Sequence, residues 1–221
     1  SLYVQLTLED TPAFKELAAA TEPEQKAQSR SPVLKALQTY PKEIALAAGA
    51  FLGVQVTFYI LVAFIISYGT DPAGLAMSRS DMLIAVLLST ICQVPALFFF
   101  ASWSDRHGRH GIYKLGAIVT GLWAFVMFPL IDTGSLPLII FALAGGQIAM
   151  AMMYGPQAAM LAELFSTEVR YSGASLGYQF GAIVGGGFAP IIATTLLVTF
   201  GSSVWVSAYI ALACVLTYIS L

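Results

Sequence analysis

Charged residues are scarce in this sequence. Of its 221 residues, 10 are Lys or Arg and 12 are Asp or Glu, which is 10 % of the chain. A soluble globular domain carries about 25 % charged residues, so an ordinary water-soluble enzyme is excluded. The net charge is -2 and no basic stripe is present, which excludes nucleic acid as a partner. Hydrophobic residues make up 58 % of the chain, which excludes disorder. The composition indicates a protein whose solvent is lipid.

Cysteine and histidine are also rare, with two residues of each. Cys92 and Cys214 lie inside apolar stretches, and both histidines fall in one loop. This pattern supports neither a disulfide scaffold nor a metal site. Residues 173–177 match G-x-S-x-G, but that elbow follows a strand in hydrolases, and the sequence places no general base on an apolar run. We therefore expect no enzyme activity, no catalytic residue, no metal and no cofactor.

What the sequence has in abundance is long apolar runs. A membrane helix needs roughly 20 apolar residues, and no alternation of period two suggests a barrel. Because backbone groups in lipid must be paired within the segment, each run predicts a helix. The predicted fold is an all-α membrane protein whose domain 44–221 is a bundle of six transmembrane helices, with spans at about 44–68, 82–102, 111–131, 136–161, 173–199 and 203–221.

The first fifth of the chain has a different character. Half of all charged residues lie before Ile44. Thr11-Pro12 and Ser31-Pro32 are typical helix starts. Residues 1–43 are therefore predicted to be a cytoplasmic segment with two short helices.

Basic residues predict the orientation. Nine of the ten fall on one side of the predicted bundle, and Arg79 stands alone on the other. The positive-inside rule makes the nine-residue side cytoplasmic, together with both termini of this chain.

Two polar clusters lie in the predicted cytoplasmic turns. The first contains Asp105, Arg106 and Arg109, and the second contains Glu163 and Arg170. A carboxylate at the end of a membrane helix is costly without a partner. We hypothesise that these residues form gating ion pairs, in a latch of Asp105, Arg109, Glu163 and Arg170.

The same clusters carry a family resemblance. Ala101-x-x-x-Asp105-Arg106-x-Gly108-Arg109-His110 resembles the G-x-x-x-D-R-x-G-R-R loop motif of the major facilitator superfamily, with Ala101 and His110 as departures. Further segments resemble the metabolite:proton symporter branch of this superfamily, which includes shikimate, proline/betaine and α-ketoglutarate transporters. These segments are Glu9 to Phe14, Tyr154-Gly-Pro-Gln157, Glu163-Leu-Phe and Val169 to Gln179.

The resemblance implies that this chain is the C-terminal half of a twelve-helix transporter with 3+3 inverted repeats, its N-terminal half being a missing partner. It further implies a bacterial cytoplasmic membrane, membrane lipids as surroundings, alternating access, and a small organic metabolite carried with protons. The alternative from the residues is a six-span pore or channel, alone or as a homo-oligomer.

Substrate contacts are sought among uncharged polar groups, because the predicted membrane cores hold no ionisable acid or base. Such groups can hydrogen-bond a solute at the midplane, although helix-to-helix hydrogen bonds are an equally ordinary use. The predicted substrate-binding residues are Gln55, Tyr59, Gln147, Tyr154, Gln157 and Gln179.

Glycines repeat every fourth residue at Gly173, Gly177, Gly181 and Gly185. A stripe of small residues lets helices approach closely, so this face is predicted to pack against a neighbour, with Gln179 and Gly186 on the opposite face. Three successive glycines at 185–187 also predict a weak point in the fifth helix.

Overall fold

The computed structural model describes residue 38 and residues 40–164 and 170–221, with side chains for all of these except 161–164 and 170–172. The predicted segment 1–43, its two short helices included, falls almost entirely outside this range. The α-helices of the described part are α1 (Pro41–Tyr59), α2 (Ile65–Thr70), α3 (Arg79–His107), α4 (Arg109–Ile131), α5 (Leu136–Leu164), α6 (Arg170–Gly181), α7 (Ala189–Phe200) and α8 (Val204–Ile219). Two π-helical segments, Ile60–Phe64 and Ala182–Gly187, join α1 to α2 and α6 to α7.

The described residues thus form six helical rods and no strand, which confirms the predicted all-α membrane fold. Five rods are long and apolar enough to cross a membrane, and α8 is a shorter apolar helix of 16 residues. The rods extend beyond several predicted apolar runs because polar residues outside the hydrocarbon continue the helices. At the start of α3, for example, the Ser78 hydroxyl caps the helix by accepting from the Asp81 backbone N–H at 3.0 Å.

The six rods fall into three pairs that we name by position. The central pair is residues 41–70 and α5, which contact each other. The flanking pair is α3, which packs on α5, and residues 170–200, which pack on α1. The outer pair is α4, which packs on α5, and α8, which packs on α1, and these two also contact each other. The first three rods in chain order make a set of contacts equivalent to that of the last three. This correspondence is expected for inverted repeats.

Side chains of the outer pair hydrogen-bond to the backbone of the central rod. The Gly53 N–H donates to the Thr217 hydroxyl at 2.8 Å, and that hydroxyl donates to the Gly49 carbonyl at 2.9 Å. Thr217 is thereby inserted into the hydrogen-bond ladder of α1. The Tyr113 hydroxyl of α4 donates to the Ala50 carbonyl at 2.8 Å. Together these bonds fix α1 to both outer helices over residues 49–53.

The chain reverses tightly at Gly108, between α3 and α4. Its φ is +93°, a backbone conformation in which a side chain would be strained. At the other end of the bundle, Gly134 and Gly201 also have positive φ. We refer to the two ends of the bundle as the Gly108 end and the Asp132 end.

Candidate substrate site and helix contacts

The three glutamines predicted on the central pair are all buried. Gln55 is 7 % exposed, Gln157 is 4 % and Gln147 is 0 %. Both amide atoms of Gln147 and the amide nitrogen of Gln157 lack a hydrogen-bond partner among the described atoms. An unpaired buried polar group costs about 1–3 kcal/mol, so a native protein that keeps one needs a reason for it. The amides of Gln147 and Gln157 therefore keep hydrogen-bonding capacity that no described residue uses.

The two predicted tyrosines are exposed at the surface of the bundle. Tyr59 is 38 % exposed and Tyr154 is 46 % exposed. Helical geometry places Tyr154 on the same face of α5 as Gln147, two turns further along. The phenol therefore lies where this face leaves the bundle, whereas the amide lies where the face is covered.

The central and flanking rods are both deformed near Tyr59. Tyr59 is the last residue of α1, directly before the first π-helical segment, and its ring lies against Gly186 in the second. π-helical turns occur frequently at functional sites. Gly185, in the same segment, lies against the backbone of Leu52 and the Cβ of Gln55. Two predicted substrate residues thus border the place where the deformed rods meet.

The glycine stripe lies along α1. A methyl group added at Gly177 would lie 2.6 Å from the Ala47 Cβ, and one at Gly181 would lie 2.7 Å from the Phe51 Cβ. Both distances are far below van der Waals contact, so only glycine permits this approach of the rods. Gly173 is buried as well.

Gly186 does not lie opposite the stripe. The expectation assumed a regular α-helix, but residues 182–187 are π-helical, with a wider turn. As a result Gly185 and Gly186 both pack on α1. Gln179 is exposed on the flanking rod, away from the buried amides.

At the Gly108 end, Asp105 and Arg109 form an ion pair. Asp105 Oδ1 lies 2.9 Å from Arg109 Nη2 and 3.2 Å from Arg109 Nε. This ion pair joins the last turn of α3 to the first turn of α4. Arg106 is exposed. The side chains of Glu163 and Arg170 lie outside the described part, so the four-residue latch stays a prediction.

A polar contact at the Asp132 end was not predicted from the sequence. The Asp132 carboxylate accepts a hydrogen bond from the Tyr68 hydroxyl and another, at 3.0 Å, from the Ser203 hydroxyl. It therefore joins α2, the end of α4 and the start of α8. An acid directly after an apolar run was the available signal, but its partners are far away in sequence.

Apolar rods with inverted-repeat packing and uncharged polar groups at their centre define one half-bundle of a membrane transporter. The sequence profile of the Major Facilitator Superfamily matches residues 44–221, and the chain belongs to that superfamily.

Individual relatives agree with this assignment. The chain is 32 % identical to the inner membrane metabolite transport protein YhjE of Escherichia coli, over 100 % of the chain and 49 % of the relative. It is 34 % identical to the E. coli shikimate transporter, over 86 % of the chain and 44 % of the relative. It is 23 % identical to a putative proline/betaine transporter of Staphylococcus aureus, over 90 % of the chain and 42 % of the relative.

The chain spans about half the length of the curated relatives it matches. The predicted resemblance to metabolite transporters is confirmed, as is the prediction that the chain is not an enzyme.

Proposed function

We propose that the whole protein is a secondary transporter that carries a small organic acid or zwitterion, together with protons, across the cytoplasmic membrane of a bacterium by alternating access. This chain would supply one of two bundles that rock against each other around a midplane site. Its relatives include proteins named as shikimate and proline/betaine transporters, whose substrates have these two chemistries.

The observation that carries the proposal is the buried amide of Gln147. It lies on a central rod, and neither its nitrogen nor its oxygen has a hydrogen-bond partner among the described residues. A solute carboxylate or hydroxyl that reached this amide would satisfy it, and its desolvation would already be complete before binding. Gln55, Gln157, Tyr59 and Tyr154 are proposed as the other contacts, with Gln179 as a more distant one on the flanking rod.

The proposed orientation puts the Gly108 end in the cytoplasm. Arg106, Arg109 and Lys114 lie near that end, and Arg79 lies at the opposite end of α3. This distribution follows the positive-inside rule. The latch of Asp105, Arg109, Glu163 and Arg170 would then close the cytoplasmic side. If Glu163→Gln and Arg109→Gln leave uptake unchanged, singly and together, the latch does not exist.

Proton coupling is the part of the proposal that depends most on the rest of the protein. The acids among the described residues lie at or beyond the rod ends, as Asp81, Asp105 and Asp132 do. A proton-carrying carboxylate would therefore be Glu163 or Asp105 at the membrane edge, or a group in the other bundle.

The pore or channel reading is the less favoured alternative. A selective pore needs a ring of charge or a re-entrant carbonyl loop. Neither feature occurs in residues 40–164 and 170–221, where the connections at the Asp132 end are short.

The test is uptake by the full protein in proteoliposomes, against shikimate, proline, betaine and dicarboxylates. An inward proton gradient should drive accumulation of one of these solutes, and unlabelled solute inside should accelerate entry of labelled solute. Uptake that ignores the gradient would remove proton coupling. Downhill flux without acceleration by internal solute would favour the pore.

A further inference from the structure

A groove runs between the two outer helices, α4 and α8, on the surface of the bundle. Its volume is about 330 Å³, which lies within the range of sites that hold small molecules. The floor of the groove is formed by the small residues Ala117, Gly121 and Ala211. Its walls are formed by large apolar side chains, among them Leu122, Phe125 and Val215. A hydrocarbon chain is the kind of ligand that fits such an apolar groove on the surface of the bundle.

The two helices are held together next to the groove. The Ser207 hydroxyl of α8 donates to the Ala124 carbonyl of α4 at 2.8 Å. A methyl group added at Gly121 would lie 3.4 Å from the Cys214 Cβ, which is ordinary contact. The groove is therefore a fixed furrow between packed helices, and its depth comes from the missing side-chain volume on its floor.

A positive charge stands at one end of this groove. Lys114 precedes Ile118 and Leu122 on α4 by one and two turns, so the three side chains share a face that leads to the Gly108 end. The Lys114 ammonium lies 5.4 Å from the centre of the Tyr218 ring, which itself lines the groove. His110 is exposed one turn further on. The apolar groove thus ends in a cation toward the Gly108 end of the bundle.

None of the proposed substrate contacts lines the groove. The buried amides among the described residues, Gln55, Gln147 and Gln157, are all on the central pair, whereas the groove lies between the two outer helices. If the second bundle faces the substrate contacts, as in other transporters, the groove faces lipid. The lipid-facing orientation of the groove rests on the proposed function, while the groove and its charge do not.

We propose that this groove binds one acyl chain of an anionic phospholipid whose phosphate pairs with Lys114. Anionic headgroups bind basic pockets between transmembrane helices, and a lysine near the membrane surface favours them. The Tyr218 ring holds the ammonium at the mouth of the groove by a cation–π contact. A zwitterionic lipid could fill the same groove but would gain less from Lys114.

The test is native mass spectrometry of the full protein in detergent, titrated with phosphatidylglycerol or phosphatidylcholine of identical acyl chains. The first phosphatidylglycerol should bind about five-fold tighter than the first phosphatidylcholine. Lys114→Gln should remove this preference, and Lys114→Arg should keep most of it. Lys42→Gln is the matched control, because Lys42 is exposed at the same end of the bundle on α1, away from the groove.

A second variant tests the groove itself. Ala211→Leu fills the floor and leaves the charge intact, so binding of both lipids should fall. Equal affinity for the two lipids, or a Lys42→Gln effect as large as that of Lys114→Gln, would overturn the proposal. So would an Ala211→Leu protein that binds phosphatidylglycerol like the wild type. Because lipid binding is measured without substrate, these results stand apart from any failure of the proposed transport.

Discussion

The central and flanking rods are both apolar, but they differ sharply in burial. In their most apolar stretches, 61 % of residues 41–70 and 56 % of α5 are buried, against 22 % for each flanking rod. Hydropathy alone does not separate them, since all four have mean hydropathies of 1.9 to 2.2 in those stretches. In lipid, apolar character indicates that a helix spans the membrane, and small or polar residues mark the face on which it packs.

The contact between α6 of the flanking pair and α1 of the central pair depends on glycines, whose lack of a side chain permits the close approach. We expect Gly181→Leu to force α6 from α1, because the Phe51 Cβ and the Ala48 carbonyl already occupy the space. The cost should be about 1–3 kcal/mol or more. Thermal unfolding followed by size-exclusion chromatography measures it.

Gly187→Leu is the control for this substitution. Gly187 belongs to the same rod, and a Cβ added there meets nothing within 4 Å. Equal losses for Gly181→Leu and Gly187→Leu would mean that rod flexibility, and not close approach, explains the glycines.

A hydroxyl that hydrogen-bonds to a central rod should contribute more to the free energy of unfolding than a hydroxyl that bonds within a flanking rod. Thr217→Val removes two hydrogen bonds to α1 without changing side-chain volume, and we expect a loss of about 1–2 kcal/mol. Thr195→Val, whose hydroxyl donates only within its own helix, should cost under about 0.5 kcal/mol. The same thermal assay compares the two, and the comparison fails if Thr195→Val costs as much.

Two of the carboxylates at the bundle ends, Asp132 and Asp105, should give smaller effects, and again the one that hydrogen-bonds to a central rod should matter more. Asp132 accepts from Tyr68 at the end of the central rod and from Ser203 before α8, so Asp132→Asn should cost about 1 kcal/mol. Asp105 pairs with Arg109 at the exposed end of a flanking rod, so Asp105→Asn should cost no more than about 0.5 kcal/mol in stability. A larger effect at Asp105 would show that its pair is stronger than a surface ion pair.

These comparisons also show what the sequence could reveal. The long apolar runs predict the helices, because few other structures satisfy the backbone in lipid. The spacing of Gly173 to Gly185 predicts a packing face. Neither signal predicts which helix is the neighbour, since every rod is apolar on most sides.

The site was less predictable for a related reason. Gln147 and Gln179 look alike in sequence, yet one is fully buried on a central rod and the other is exposed on a flanking rod. The π-helical turn at 182–187 changes the register that α-helical spacing assumes, which places Gly186 against Tyr59. Asp132 needs partners 64 and 71 residues away, and no local pattern indicates them.

The central claim is that the buried Gln147 amide is kept for substrate, and Gln147→Met tests it most directly. Methionine fills a similar volume without a polar group, so the substrate-free protein should be as stable as the wild type or more stable by about 1–3 kcal/mol. Transport should weaken, with KM for the carried solute rising about ten-fold. Ile148→Met, at the exposed neighbouring position, should change neither property. A Gln147→Met protein that is less stable and transports with an unchanged KM would contradict the account.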